Sequence, residues 1–426
     1  ALEAGAGAVN LGESQFGITS TAFRWGLSGA YQQSIPSYFS MGEDGVRHNF
    51  LEDYYRSLPE LASSIFLKGY QWPFNAHRVE NLGSSLIDIA VSEEIRAGRH
   101  VLIDFASNPY YGDEAFDIQS LPSEARNFLN KSGVRQRTPF ERLEFMNPES
   151  IEVYSKQGID LHEPVEVAVS FQHNNGGLAV NSHYETDVKG LFAVGEIAGT
   201  HGVSCPGGAS LNAGQVGGIR AAEYISHHRR TGADGLSLSE LGRAGRTVLL
   251  ENRRMLESSG ALHSVVRALI QGMMTRSAGF LRDIEPLKMA CADAAALWRN
   301  CEVIAPKAAD HRDIPRAWET RHLLLTAGAF MLSIYMYAGT SGGSRGSYLI
   351  LQGDGPISGG GLAQVVTKHG PLFGYYIEDL QDRRHRLKVS GPELEISWEM
   401  VKPVPEDKGW FDSTWADWRD GTVFDQ

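Results

Sequence analysis

Apolar and polar residues alternate over VEVAVSF (165–171), and this period of two predicts a β-strand. A shorter apolar segment, LFAV (191–194), predicts a second strand. The segment 207–225 is rich in small residues and predicts a helix. Within it, Gly214 and Gly218 form a face on which another backbone can pack closely. These three elements make residues 165–225 the most strongly patterned part of the chain.

The region before this core is loop-rich at first and then regular. Short helices are predicted at 49–57 and 58–67, and a longer helix follows Ser84 and Ser85, with apolar residues at helical spacing over 86–94. The segment VLIDF (101–105) then predicts a strand.

The first residues predict an incomplete βαβ unit. Ala1 to Ala6 are typical of the end of a helix, and Val9 to Leu11 of a short strand. A βαβ unit also needs an earlier strand and its turn, which these residues do not supply. We therefore expect either a missing N-terminal segment or a fold that begins unusually.

The C-terminal half is predicted to be mainly helical between residues 236 and 340. Leu287, Ala294 and Trp298 share one face with Cys291. The most apolar run, 323–337, has only 15 residues, so it predicts a buried helix rather than a membrane span. Residues 350–426 predict strands and an arm that carries the exposed tryptophans Trp410, Trp415 and Trp418.

Composition and charge exclude several classes of protein. The chain has 426 residues and a net charge of −12, which disfavours binding to nucleic acid or to anionic membranes. Its three cysteines form no CxxC pair, so we expect no structural zinc and no iron–sulfur cluster. Sparse cysteines also favour a reducing compartment, and we expect a cytoplasmic location.

The first candidate for chemistry is the turn between the predicted strand at 191–194 and the helix that begins near Ser210. The N-terminus of a helix presents unpaired N–H groups and a partial positive charge, which favour a phosphate or the N1–C2=O edge of a reduced flavin. Glu196 can accept hydrogen bonds from ribose or ribityl hydroxyls. The alternative is a tight strand–helix turn that is packed for structural reasons alone.

This region resembles the flavin-binding motif of the fumarate reductase/succinate dehydrogenase flavoprotein family, which includes L-aspartate oxidase. The matching features are GLFAVGE (190–196), a His-Gly loop at 201–202 and the Ala-Ser-Leu helix start at 209–211. The resemblance extends over roughly residues 80–350. Further matching segments are 86–105, 159–181, 269–290 and Ser-Arg-Gly-Ser at 344–347.

The resemblance implies an α/β fold: a Rossmann-like FAD-binding domain with an inserted α+β capping domain, followed by a helical domain. It also implies FAD as a noncovalent cofactor, since no histidine matches the family's covalent attachment motif. The implied cofactor-binding residues are Glu13, as the ribose-binding acid, together with Gly195, Glu196, Ser210, Leu211 and Gly218.

At the catalytic positions the sequence departs from the family pattern. Gln172 stands where the family has its substrate histidine, and Ser84 and Cys205 stand where it has substrate arginines. Paired arginines hold dicarboxylates by bidentate hydrogen bonds, so we expect a substrate other than succinate or fumarate.

Three nearby side chains are the candidate catalytic groups. His173 either exchanges a proton beside the flavin N5 or hydrogen-bonds a turn carbonyl. Arg78 is either a substitute cation or a solvated arginine, and His201 either faces the substrate or caps its loop.

These observations predict an FAD-dependent oxidoreductase that transfers a hydride between the flavin N5 and a small or medium organic substrate. The alternatives are a flavoprotein-like subunit that a partner chain completes, with the tail as the docking arm, or a non-catalytic binding subunit. We expect an oligomer, and an electron-transfer or partner subunit is one further possibility. The predicted domains are 1–75 (partial FAD-binding), 76–164 (capping), 165–230 (FAD-binding, C-terminal part), 231–348 (helical) and 349–426 (arm).

Overall fold

The computed structural model describes most of the chain and defines twelve helices and thirteen strands within it. The described residues are 1–205, 207–228, 235, 237–301, 303–340, 344–351, 362–367, 370–375, 382–401 and 410–425. The helices are α1 (Ala30–Gln33), α2 (Leu58–Lys68), α3 (Leu86–Arg96), α4 (Ser123–Lys131), α5 (Pro139–Met146), α6 (Pro148–Ser155), α7 (Ala209–His228), α8 (Leu238–Glu257), α9 (His263–Ser277), α10 (Ile284–Cys301), α11 (Ile314–Tyr335) and α12 (Trp410–Asp420). The strands are β1 (Ala8–Val9), β2 (Ser14–Ser20), β3 (Ser37–Met41), β4 (Arg47–His48), β5 (His100–Asp104), β6 (Val165–Asn174), β7 (Gly177–Leu178), β8 (Leu281–Asp283), β9 (Leu349–Leu351), β10 (Leu362–Thr367), β11 (Gly370–Tyr375), β12 (Arg383–Ser390) and β13 (Glu393–Met400).

The largest sheet has five antiparallel strands in the order β2-β6-β5-β3-β4. Helix α3 packs on β5 and β6 through a buried apolar face that includes Leu86, Ile87 and Ala90. The alternation predicted at 165–171 is therefore confirmed as part of β6, and the helix predicted before residue 98 as α3. The sheet takes strands from three of the predicted domains, so it spans the proposed boundaries at 75/76 and 164/165.

A second sheet joins the two ends of the chain in the order β13-β12-β1-β7. Strand β1 lies between β12 and β7 and is antiparallel to both. Because β1 has a neighbour on each side, it is a central strand although it has only two residues. This sheet brings the first residues of the chain beside the glycine pair Gly176 and Gly177, the second of which opens β7.

The helical layer consists of α9, α10 and α11, with α11 in contact with the other two. The apolar run predicted as a buried helix lies in α11, whose buried residues include Leu324, Leu325 and Met331. No helix within the described residues is long and apolar enough to cross a membrane. The predicted boundary at 230/231 lies outside the described residues.

Two local predictions were wrong. Residues 191–194 form no strand, and only an isolated bridge joins Glu185 to Phe192. The left-handed backbone of Tyr184, with φ of 65°, interrupts the extended segment that would have paired with them. Residues 1–6 form turns rather than the end of a helix.

Candidate functional site

The glycine pair Gly176 and Gly177 allows three backbone segments to meet at the centre of the site. A Cβ atom on Gly176 would overlap the carbonyl group of Asn10, and one on Gly177 would overlap the carbonyl group of Ile197. Because glycine has no side chain, β7 lies directly against both segments. This close approach places the turn that contains Glu196 beside the end of β6.

His173 lies near the end of β6 and is the centre of a polar cluster. Its side chain is buried, with Nδ1 3.2 Å from Oδ1 of Asn175 and Nε2 3.1 Å from Oγ of Ser210. A carboxylate oxygen of Glu196 lies 3.8 Å from the same Nε2 atom, and its other oxygen accepts a hydrogen bond from the amide of Asn174. The structure therefore brings together His173, Glu196 and Ser210, three of the predicted site residues.

The neighbouring Gln172 does not take part in this cluster. Successive side chains of a strand point to opposite faces, so Gln172 lies on the other side of β6, where its amide donates to the hydroxyl of Thr19. The position that holds the substrate histidine in the family pattern is Gln172 in this chain, and it faces away from the cluster. The side chain that faces the cluster is His173, one residue later.

His201 packs edge-on against His173, with ring centroids 4.8 Å apart. Both of its ring nitrogens are buried, and neither has a hydrogen-bond partner in the part of the chain that the structure describes. Burial lowers the pKa of His201 and the nearby His173 lowers it further, while Glu196 opposes the shift. The ring of His201 is therefore held in its neutral form near neutral pH.

Cys205 lies in the same cluster, although the sequence offered only its position in the His-Gly loop as a signal. Its Sγ atom is 3.2 Å from Oγ of Ser210, and the residue is buried. The loop is held in place because Gln15 donates to the carbonyl of Cys205 and Asn10 donates to that of Gly202. These two anchors could not be found from the sequence, since they are about 190 residues away.

Arg78 is placed differently from the other candidates. Its guanidinium donates to the backbone carbonyl of Gln71 at 2.6 Å, and burial lowers its pKa. Among the described residues, it makes no hydrogen bond or ion pair with His173, Glu196 or His201. Its catalytic role stays a prediction.

Glu13 is fully buried, and its carboxylate is bonded to other side chains of the protein. Its carboxylate pairs with Arg345 at 2.9 Å and accepts a hydrogen bond from the hydroxyl of Ser347. With 1% of its surface exposed, the residue is closed off from solvent. This arrangement argues against a ribose contact for Glu13 and favours a structural one.

The remaining predicted residues surround the first turns of α7 and fit a flavin in their chemistry. Gly195 has a φ of 75°, and a Cβ atom there would lie 3.6 Å from the Cα of Gly214. Leu211 is 79% exposed, and nothing lies within 4 Å of a Cβ placed on Gly218. The open first turn offers N–H donors to a ring edge that carries negative charge.

Comparison with known proteins gives matches for this region and for the whole fold. The family model described as "FAD binding domain" matches residues 87–211. L-aspartate oxidase of Bacillus subtilis is 41% identical over 160 residues, which cover 37% of this chain and 28% of that protein. One of the subunits of the fumarate reductase (CoM/CoB) of Methanothermobacter marburgensis is 36% identical over 96 residues, which cover 22% of this chain and 17% of that protein.

Solved structures extend the likeness to nearly the whole chain. FrdA of the E. coli quinol fumarate reductase superposes with a TM-score of 0.62 at 18% identity, covering 96% of this chain and 62% of that chain. Sdh1 of Mycobacterium smegmatis gives a TM-score of 0.60 at 17% identity, covering 98% and 60%. The aligned part thus spans under two thirds of each of these structures and under a third of each of the two curated relatives. The chain thus carries an FAD-binding sequence signature at residues 87–211 on a fold similar to that of the fumarate reductase FrdA, and its cofactor is FAD.

Proposed function

We propose that this protein is an FAD-dependent oxidoreductase that transfers a hydride between the flavin N5 and a carbon of a small or medium organic substrate. The observation that carries the proposal is the position of His173, whose Nε2 atom lies 3.1 Å from Ser210 at the start of α7 and 3.8 Å from Glu196. FAD, when bound, supplies the hydride chemistry. Relatives named as L-aspartate oxidase and fumarate reductase support an oxidoreductase.

Within this proposal, Glu196, Ser210 and Leu211 hold the cofactor, together with Gly195 and Gly218. Glu196 accepts hydrogen bonds from hydroxyl groups, and the first turn of α7 donates to a ring edge. The exposed side chain of Leu211 offers apolar surface to the ring.

His173 is the proposed proton donor or acceptor. Asn175 binds its Nδ1 atom, which fixes the plane of the ring and directs Nε2 toward Ser210 and the start of α7. His201 packs against His173, and its neutral ring adds no charge there.

We further propose that the substrate carries less negative charge than a dicarboxylate. The two positions of the substrate arginines hold Ser84, which donates to the side chain of Gln71, and the buried Cys205. Among the described residues, no lysine or arginine bonds to His173, His201 or Glu196. An amine, an enone or a quinone-like acceptor is compatible with a site of this charge.

The test is reoxidation of the chemically reduced flavin by a panel of enones, quinones and imines. We expect one class to reoxidise wild-type protein rapidly and His173→Asn to slow that reaction by about 10²- to 10⁴-fold. His311→Asn, at an exposed histidine, is the matched control and should keep the wild-type rate. A His173→Asn variant with bound flavin and the full rate would remove His173 from the mechanism.

A second candidate function is a flavoprotein subunit that a partner chain completes. It is favoured by apolar side chains left uncovered on α7, where Leu211 is 79% exposed and Ile219 is 61% exposed. One relative is itself named as a subunit of fumarate reductase. Purification of the tagged chain from its native cells tests this candidate: a colourless chain that gains flavin absorbance only with a copurified protein would favour it over the first.

A further inference from the structure

His173 and two side chains beside it form a set of possible metal ligands, a role that the proposed oxidoreductase function does not assign to them. One nitrogen of His173, one nitrogen of His201 and the Sγ atom of Cys205 all lie within 4.8 Å of one another. They come from two separate segments, β6 and the loop before α7. Two imidazoles and one thiol form a ligand set that suits Zn²⁺ and other divalent transition metals of similar softness.

His201 is the observation that points to a ligand. Both of its ring nitrogens are buried and have no hydrogen-bond partner within the described residues. A buried polar atom without a partner costs free energy, and native proteins satisfy nearly all such atoms with protein, water or an ion. A metal ion bound to one nitrogen of His201 would remove this cost.

The other two ligands are held in position from outside the cluster. Asn175 binds Nδ1 of His173 at 3.2 Å, which leaves Nε2 directed toward the cluster. A metal-binding histidine usually donates a hydrogen bond from its second ring N–H to an oxygen atom, which holds the ring in place. Gln15 fixes the backbone of Cys205 at 3.1 Å, so the thiol stays beside His173.

We propose that His173, His201 and Cys205 form a binding site for a divalent transition metal of the Zn²⁺ type, with a fourth position open to water or a ligand. Three protein ligands and one open position are typical of zinc sites that bind a small molecule. Metal–nitrogen bonds of about 2.0 Å and a metal–sulfur bond of about 2.3 Å require the donor atoms to approach by about 1 Å.

The proposed metal site does not require the proposed oxidoreductase activity, but a bound metal would affect that activity. A metal ion would take the lone pair of His173 that proton transfer needs. Metal occupancy and proton transfer by His173 therefore exclude each other, and Zn²⁺ should inhibit turnover.

The test is a titration with Co²⁺ of the purified, chelator-treated flavoprotein, with the metal-free sample as the blank so that flavin absorbance cancels. We expect one Co²⁺ per chain, a thiolate-to-cobalt charge-transfer band, d–d bands at longer wavelengths than the flavin, and loss of all bands when Zn²⁺ is added. Cys205→Ser should remove the charge-transfer band, and His201→Asn should weaken Co²⁺ binding at least about tenfold. Cys291→Ser, at a half-buried cysteine of α10, is the control and should keep the wild-type spectrum.

Three results would overturn the site: no cobalt bands in the wild-type protein, a charge-transfer band that persists in Cys205→Ser, or unchanged Co²⁺ affinity in His201→Asn. If Cys205→Ser fails to fold, the His201→Asn titration still decides. None of these measurements uses turnover, so a protein without oxidoreductase activity can still show the metal site, and an active enzyme can lack it.

Discussion

The carboxylate of Glu13 and the guanidinium of Arg345 form a buried ion pair, 2.9 Å apart, between the first and last thirds of the chain. Their side chains are 0% and 9% exposed, respectively. The backbone carbonyl of Glu13 also accepts a hydrogen bond from the backbone N–H of Asn175, the residue that orients His173. The ion pair therefore holds the segment around Glu13 in place, and that segment in turn anchors Asn175 beside His173.

Removal of the Glu13 charge should destabilise the protein strongly. Glu13→Gln leaves Arg345 buried without its counter-charge, and we expect the free energy of unfolding to fall by about 3–5 kcal/mol. Urea unfolding followed by circular dichroism measures the change. Glu3→Gln breaks an ion pair that is more exposed, with Arg321, and should cost about 0–1 kcal/mol. Equal effects of the two substitutions would contradict this account.

The buried pair Lys68 and Asp88 gives a second stability prediction. Both side chains are 0% exposed, burial raises the pKa of Asp88, and Lys68 counteracts that shift. Lys68→Met leaves the buried carboxylate of Asp88 without its counter-charge and should lower the free energy of unfolding by about 3–5 kcal/mol. The double variant Lys68→Met/Asp88→Leu removes both charges and should recover most of this loss. A double variant no more stable than the single one would show that packing, rather than charge, sets the cost.

Gly177→Ala tests the close approach of backbones beneath the site. The added methyl group would overlap the carbonyl of Ile197 and force β7 away from the turn that contains Glu196. We expect a loss of about 1–3 kcal/mol in stability and weaker flavin retention, measured by thermal unfolding and by flavin release on dilution. Gly98→Ala is a useful comparison, because no atom lies near its Cβ and only its φ of 80° is unfavourable. Tight flavin binding in Gly177→Ala would refute the link to the cofactor.

His385 should make the protein sensitive to acid. Its side chain is buried, with the rings of Tyr337 and Trp398 each 3.9 Å away between centroids. Burial, together with the Arg345 cation, lowers the pKa of His385 from 6.5 to about 4. Below pH 6.5 the unfolded chain takes up a proton that the folded chain does not, so stability should fall as the pH drops from about 6.5 to about 4, by up to about 3 kcal/mol.

Urea unfolding at a series of pH values checks this dependence. His385→Gln should flatten the curve of unfolding free energy against pH in that window, whereas His311→Gln, at an exposed histidine, should leave it unchanged. A slope that survives in His385→Gln would assign the acid sensitivity to other groups.

The sequence alone determined the elements with strong local periodicity. The helix predicted from the spacing at 86–94 and the strand predicted from the alternation at 165–171 lie within α3 and β6, and most of the apolar run predicted as a buried helix at 323–337 lies within α11. Helices and strands impose a fixed spacing on their buried residues, so such segments can be found from the sequence. The candidate flavin-binding turn was also marked in the sequence, because the glycine at 195 and the small residues of α7 allow close backbone contact.

Only the tertiary structure decided which side chains share the site. Cys205 and His201 meet His173 because β7 packs between two distant segments, and no local pattern encodes that contact. Glu13 binds Arg345, from far along the chain, instead of remaining open to a ribose. Local preferences set helices and strands residue by residue, whereas burial selects the partners of charged and polar side chains only once the whole chain has packed.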